Sequence, residues 1–224
     1  MTDRYRVLAL DQRGHGETAW APPDRYGRGE MVDDLAAFVK ALGLKDFALL
    51  GLSMGGGVTF QYAGRRPKEL ACISIVDIAP EVVTDGIERI RVGVRAKDVF
   101  ASVDEAFAQA RKVNPRPPEA IHRARINAAL MRTEDGQWRY DRALRASGPP
   151  PRDVEAGWRA CANINVPAQL IRGEFSDILS PAIAKRMMAT IPDLRFDEVK
   201  DSGHPVPLDA PEGFQKAARE FLVG

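Results

Sequence analysis

Residues 47–55, Phe-Ala-Leu-Leu-Gly-Leu-Ser-Met-Gly, are the most informative part of this chain about its fold. Its four leading residues, 47–50, predict a buried strand, and the Gly-x-Ser-x-Gly sequence that follows predicts a sharp turn into a helix. Such a turn exposes the Ser53 hydroxyl beside helix N–H groups that stabilise an anion. Gly51 and Gly55 are expected because side chains two residues on either side of the serine would obstruct so tight a turn.

Strands and helices alternate on both sides of this stretch. The predicted strands are residues 6–10, 47–50, 71–77, 168–172 and 194–199. Segments with helical periodicity separate them, which predicts the α/β class, with a mainly parallel sheet flanked by helices. Residues 82–163 show helical patterns and no convincing strand, so we interpret them as a helical cap insertion. The α/β core then comprises residues 1–81 and 164–224.

Composition and charge exclude several classes of protein. The chain has 224 residues, a formal net charge of +1 and 28% charged residues, values that are typical of one soluble globular protein. This balance gives no electrostatic reason for a nucleic acid or membrane partner. Cys72 and Cys161 suggest neither a disulfide framework nor a metal site. No signal-peptide pattern is present, and we expect a cytoplasmic location.

A serine hydroxyl needs a base to take its proton, and that base needs an orienting acid. His204 follows the last predicted strand, at the sheet edge where α/β folds place their sites, so it is the predicted base. His15 follows the first strand, and we expect it to shape its own loop by local hydrogen bonds. His122 is interpreted as a surface or cap residue.

Three acidic residues are candidates for the orienting acid. Asp177 follows the penultimate strand and precedes a capped helix, and it is the favoured candidate. Asp77 ends the third strand and Glu174 lies closer to the penultimate strand, so both stay open as alternatives. The chain order Ser53, Asp177, His204 is the order expected for a nucleophile elbow.

Four segments resemble the α/β-hydrolase fold family of esterases, lipases, lactonases and C–C bond hydrolases. They are residues 10–16, 51–55, 173–177 and 203–212. The resemblance implies a serine hydrolase in which Ser53 is the nucleophile, Asp177 the acid and His204 the base. It also implies that the backbone N–H of Met54 is one oxyanion donor, and that neither a metal nor an organic cofactor is needed.

The resemblance implies a small-molecule substrate with an ester-like carbonyl: a carboxylic ester, a thioester or a lactone. C–C bond hydrolysis and perhydrolysis use the same residues and stay open as alternatives. A third alternative is a non-catalytic or weakly active protein on a hydrolase scaffold. Phe100, Phe107, Met131 and Trp138 are candidates for a cap pocket, although for each of them we favour a place in the core of the cap itself.

The N-terminal part departs from the family pattern. In the family, about three strands and a His-Gly turn precede the strand that ends in Asp-x-Arg-Gly-His-Gly, whereas here only residues 1–5 precede the strand at 6–10. The resemblance therefore implies a sheet without its N-terminal strands and without a second oxyanion donor. We expect the first strand to pair with the elbow strand or to lie detached from it. The exposed strand edge that results would favour self-association.

Overall fold

The computed structural model describes residues 2–86, 99–140 and 152–223. Its strands are β1 (Phe47–Leu52), β2 (Leu70–Val76), β3 (Val99–Phe100), β4 (Leu130–Arg132), β5 (Trp138–Tyr140), β6 (Ala168–Gly173) and β7 (Leu194–Val199). Its helices are α1 (Arg28–Ala41), α2 (Met54–Ala63), α3 (Val103–Val113), α4 (Glu119–Ala129), α5 (Val154–Ala162), α6 (Pro181–Thr190), α7 (Val206–Asp209) and α8 (Pro211–Leu222).

The main sheet has the strand order β1-β2-β6-β7, and all of its pairs are parallel. The predicted α/β class with a mainly parallel sheet is therefore confirmed. Every residue of β6 is buried, as expected for a strand with neighbours on both sides and helices on both faces. Because parallel strands end at one edge, the segments that follow β1, β2, β6 and β7 meet there.

Helices cover both faces of the sheet. One face packs its apolar side chains against α1, α2, α5 and α6, with Val32, Val58, Ile73 and Met187 fully or almost fully buried. On the other face, Ile171 packs in a smaller cluster with residues of α8. Within the described residues, each helix is too short or too polar to span a bilayer.

The predicted strand at 6–10 is wrong. These residues form no β pairing, and Val7, Leu8 and Leu10 are exposed. A buried parallel strand needs hydrogen-bonded neighbours, and β1, which the segment could have joined, forms the edge of the sheet without it. The detached arrangement is thus the one found. Leu50 of β1 is correspondingly exposed, and self-association through this edge stays a prediction.

The interpretation of residues 82–163 as wholly helical is also wrong. The described part of this region holds α3 and α4 together with a three-stranded antiparallel sheet of order β3-β5-β4. Gly136 turns the chain between β4 and β5 with a φ of 79°, a left-handed conformation that favours glycine. Strands of two or three residues are too short to show an alternating pattern in the sequence, and β3 pairs with a strand that lies far along the chain.

The aromatic candidates of this region pack mainly against one another. Phe100 and Phe107 are buried in a cluster of their own, Trp138 packs against that cluster, and Met131 is partly exposed. The Ser102 hydroxyl accepts from the Glu105 N–H and caps the start of α3. The sequence Gly-Pro-Pro-Pro at 148–151 predicts a stiff connector, and it lies outside the described residues.

Candidate active site

Ser53 occupies the turn between β1 and α2. Its φ of 53° and ψ of −111° are unusual for a residue with a side chain, so the tertiary structure must hold this conformation in place. The Ser53 N–H donates to the Val76 carbonyl of β2 at 3.0 Å, and its own carbonyl accepts from Gly57 at 3.0 Å. Strand and helix therefore both anchor the serine backbone and leave the hydroxyl at the carboxyl edge of the sheet.

The glycines of the turn have different roles. A Cβ at Gly51 would lie 2.5 Å from Thr59 Oγ1, and a Cβ at Gly56 would lie 2.5 Å from Ile78 Cγ2. A Cβ at Gly55 would meet nothing within 4 Å. The expected steric reason holds for Gly51 but not for Gly55. Gly56 is the second crowded position.

We therefore expect Gly56→Ala to lower the free energy of unfolding by about 1–3 kcal/mol, the usual cost of forcing a methyl group into a packed site. Gly55→Ala is the matched control, and it should change that free energy by no more than about 1 kcal/mol, in the stabilising direction, because alanine favours a helix. Urea unfolding of the two variants checks this. Equal losses of stability would contradict the packing account.

His204 connects the serine to a carboxylate. Its Nε2 lies 2.8 Å from Ser53 Oγ and its Nδ1 lies 2.9 Å from Asp77 Oδ2. The side chain is 15% exposed, so one side of the ring faces solvent. Because a carboxylate only accepts hydrogen bonds, Nδ1 carries the proton toward Asp77, and Nε2 is left to accept from the serine hydroxyl.

Two features hold the His204 loop in place. The Gly203 N–H donates to the buried Asp209 carboxylate at 2.8 Å, and Asn114, which follows α3, donates to the same carboxylate at 2.7 Å. At Gly173, a Cβ would lie 2.8 Å from the Ser202 carbonyl oxygen, so only a glycine lets the loop approach β6 so closely. The segment after α3 and the histidine loop therefore share one anchoring carboxylate.

The carboxylate at His204 belongs to Asp77, which corrects the expectation of Asp177. Asp77 follows β2 directly, is fully buried and has a φ of 51°. Its Oδ1 accepts from the Gly173 N–H at 2.9 Å, and its Oδ2 accepts from the Ser176 hydroxyl as well as facing His204. These hydrogen bonds replace the water that the Asp77 carboxylate loses when it is buried. The sequence signal for Asp77 was its position at the end of a buried strand beside the elbow strand.

Asp177 and Glu174 lie elsewhere in the loop after β6. Asp177 is half-buried, and its backbone carbonyl packs against Gly86. Glu174 accepts from the Asp201 N–H and from Lys200, and these hydrogen bonds lower the pKa of its carboxyl. Chain order alone cannot distinguish the three acids because all follow strands that end at the same edge.

Ser176 is a residue that sequence reasoning missed. Its oxygen accepts from the N–H groups of Ile178 and Leu179 at 3.2 and 3.0 Å, so its own proton is available for Asp77. The loop that carries it is fixed by the buried Arg172, whose Nε donates to the Leu179 carbonyl at 2.7 Å. The segment 173–177 thus contributes to the site through the Gly173 N–H and the Ser176 hydroxyl, which both donate to Asp77.

We expect Ser176→Ala to lower kcat by about 10- to 100-fold with little change in KM, because a hydrogen bond to a charged group contributes about 1.5–3 kcal/mol. Ser176→Thr keeps the hydroxyl and should restore most of kcat. Ser180→Ala is the matched control, since Ser180 only caps α6 through the Ile183 N–H. Steady-state kinetics check this, and a Ser180→Ala loss as large as that of Ser176→Ala would contradict it.

Met54 is the first residue of α2, half-buried beside the serine. The first N–H groups of a helix have no acceptor within the helix, so the Met54 amide is suited to bind an anion formed at Ser53. Its carbonyl accepts a hydrogen bond from the Arg28 guanidinium, which reaches over from the start of α1.

The remaining histidines and the cysteines lie outside this constellation. His15 Nδ1 lies 3.0 Å from the Arg13 carbonyl, the local contact expected of it. His122 is buried inside the cap region against Phe107, and desolvation lowers its pKa. Cys161 is a buried free thiol whose pKa burial raises to about 12, so it is a poor nucleophile. Among the described residues, no three acids, histidines or cysteines cluster as metal ligands would.

Comparison with known proteins identifies the family of this chain. The model of the alpha/beta hydrolase family matches residues 1–217, and the chain belongs to that family. It is 27% identical to 2-(acetamidomethylene)succinate hydrolase of Mesorhizobium japonicum, over 99% of this chain and 80% of that protein.

Two solved structures have the same fold. The crystal structure of E-2-(acetamidomethylene)succinate hydrolase has a TM-score of 0.86 at 24% identity, over 96% of this chain and 80% of that one. A Mycobacterium tuberculosis esterase has a TM-score of 0.76 at 22% identity, over 96% of this chain and 74% of that one. Because it belongs to this family, the chain is an enzyme of the hydrolase class.

Proposed function

We propose that the protein cleaves a small carboxylic ester, thioester or lactone through Ser53, His204 and Asp77. The observation that carries this proposal is the continuous hydrogen-bonded chain from Ser53 Oγ through both nitrogens of His204 to Asp77. Serine, histidine and aspartate in this arrangement form the machinery of nucleophilic acyl transfer on many unrelated folds.

In the first half of the reaction, Ser53 Oγ attacks the substrate carbonyl while His204 Nε2 takes its proton. Asp77 holds the Nδ1–H tautomer and stabilises the imidazolium that forms. The negative charge on the carbonyl oxygen faces the Met54 N–H at the start of α2. His204 then gives its proton to the leaving group, and an acyl group remains on Ser53.

In the second half, His204 takes a proton from water, and the resulting hydroxide equivalent attacks the acyl carbonyl. Collapse of this second tetrahedral intermediate releases the acid and restores the Ser53 hydroxyl. The name of the Mycobacterium tuberculosis protein, an esterase, supports carboxylic esters as the first substrates to test.

Pre-steady-state kinetics with p-nitrophenyl butyrate test the proposal. An acyl-enzyme that forms faster than it is hydrolysed releases a burst of p-nitrophenol close to one equivalent of enzyme, followed by slower turnover. Ser53→Ala should show neither phase. Turnover by the folded Ser53→Ala protein at the wild-type rate would refute the proposal.

A further inference from the structure

A positive charge lies one helical turn from the nucleophile. Arg28 begins α1, and its guanidinium donates to the Met54 carbonyl in the first turn of α2. The group lies flat on Gly57, where a Cβ would be only 2.6 Å from Arg28 Cζ. Gly57 is four residues after Ser53, which places it about 6 Å further along the axis of α2.

The acidic residues of α1 contact groups other than Arg28. Asp33 pairs with Arg65 and Asp34 pairs with Arg13, both at 2.6 Å. The Glu30 carboxylate folds back onto Gly27, the N-cap residue of its own helix. In the described ranges 2–86, 99–140 and 152–223, no carboxylate forms an ion pair with Arg28.

Burial destabilises the charged form of the Arg28 guanidinium. Desolvation, with a smaller contribution from the positive charge of Arg152, lowers the pKa of Arg28 to about 10. A desolvated charge destabilises the fold unless an opposite charge pairs with it, and one carbonyl oxygen compensates only part of that cost. An anion bound beside Met54 would supply the opposite charge that Arg28 lacks.

We infer that Arg28 binds a carboxylate of the substrate, so that the enzyme prefers esters or thioesters that bear a negative charge a few bonds from the scissile carbonyl. This inference rests on the proposed function and adds the substrate class. The planar guanidinium of arginine offers paired donors that match the two oxygens of a carboxylate. The rise of about 6 Å along α2 from Ser53 to Gly57, over which the guanidinium lies, is close to the span of an acyl chain with about three carbons between its two carboxyl groups.

Two esters of equal backbone length test the inference: p-nitrophenyl hemiglutarate, which is anionic, and p-nitrophenyl pentanoate, which is neutral. The readout is the ratio of their kcat/KM values after correction for uncatalysed hydrolysis. The wild-type ratio should exceed about 10, and Arg28→Gln should lower it by about 10- to 100-fold, as for the loss of a charged hydrogen-bonded pair. Arg28→Lys should retain part of the preference.

Arg65→Gln is the matched control. Arg65 follows the opposite end of α2 and pairs with Asp33 at the surface, so its loss should leave the ratio unchanged. An Arg28→Gln protein that folds and keeps the wild-type ratio overturns the inference, even if its melting temperature falls. If that variant does not fold, the wild-type ratio decides, and a value at or below one overturns the inference.

Binding separates this inference from the proposed function. In the Ser53→Ala background, titration calorimetry with p-nitrophenyl hemiglutarate should show binding that Arg28→Gln weakens by about 10-fold or more. Binding of this kind, combined with no hydrolysis by the wild type, would uphold the carboxylate site and refute the esterase proposal. Hydrolysis of both esters without any effect of Arg28→Gln would uphold the esterase proposal and refute the carboxylate site.

Discussion

Ser53→Ala and His204→Ala should each lower kcat for p-nitrophenyl butyrate by about 10⁶-fold, because a nucleophile and its base act as a unit and the loss of either removes the covalent route. The two residues share a 2.8 Å hydrogen bond, so the double variant should be no slower than either single one. Rates of the three variants, measured with the melting temperature of each, check this.

His15→Ala is the matched control for the histidine. His15 makes a local contact with the Arg13 carbonyl and lies in a loop that the proposed chemistry does not use. Its replacement should leave kcat within a few-fold of wild type. A His15 variant as inactive as the His204 variant, and equally well folded, would show that the base has been misassigned.

Asp77→Asn should lower kcat by about 10⁴-fold. An amide at this position can present its NH₂ group to His204 Nδ1, which favours the tautomer that carries its proton on Nε2 and cannot accept from Ser53. The buried amide keeps the shape of the carboxylate, so we expect the fold to survive.

Asp177→Asn is the control, with the same chemical change at the other candidate acid. The structure brings Asp77 within 2.9 Å of His204 and places Asp177 in the loop beside Gly86, so the Asp177 variant should retain most of the wild-type kcat. The reverse pattern, with the Asp177 variant 10⁴-fold slower and the Asp77 variant active, would contradict the assignment of the acid.

The sequence predicted the parts of this molecule that local patterns determine. The strand before Ser53, the sharp turn and the placement of His204 after the last strand could be inferred because each depends on a short run of residues. Four of the five predicted strands pair in the main sheet. The fifth, at residues 6–10, has the composition of a buried strand but no partner, and partners are a non-local property.

The choice of acid was beyond sequence reasoning for a different reason. Asp77, Glu174 and Asp177 all follow strands at one edge, and what decides between them is the direction of one side chain. Asp77 is directed to His204 by a φ of 51° and by hydrogen bonds from Gly173 and Ser176, nearly a hundred residues further along the chain. No local pattern encodes that set of contacts.

Labelling with a fluorophosphonate, followed by mass spectrometry of peptides, shows whether His204 and Asp77 activate Ser53 as a nucleophile. The reagent forms a covalent phosphonyl adduct with a serine that a neighbouring base activates. If Ser53, His204 and Asp77 act together, one equivalent of adduct forms on Ser53 and none forms on the Ser53→Ala protein. The Asp77→Asn protein is then labelled much more slowly than the Asp177→Asn protein. A folded wild-type protein that resists the reagent, or that carries the adduct on another residue, would contradict this assignment.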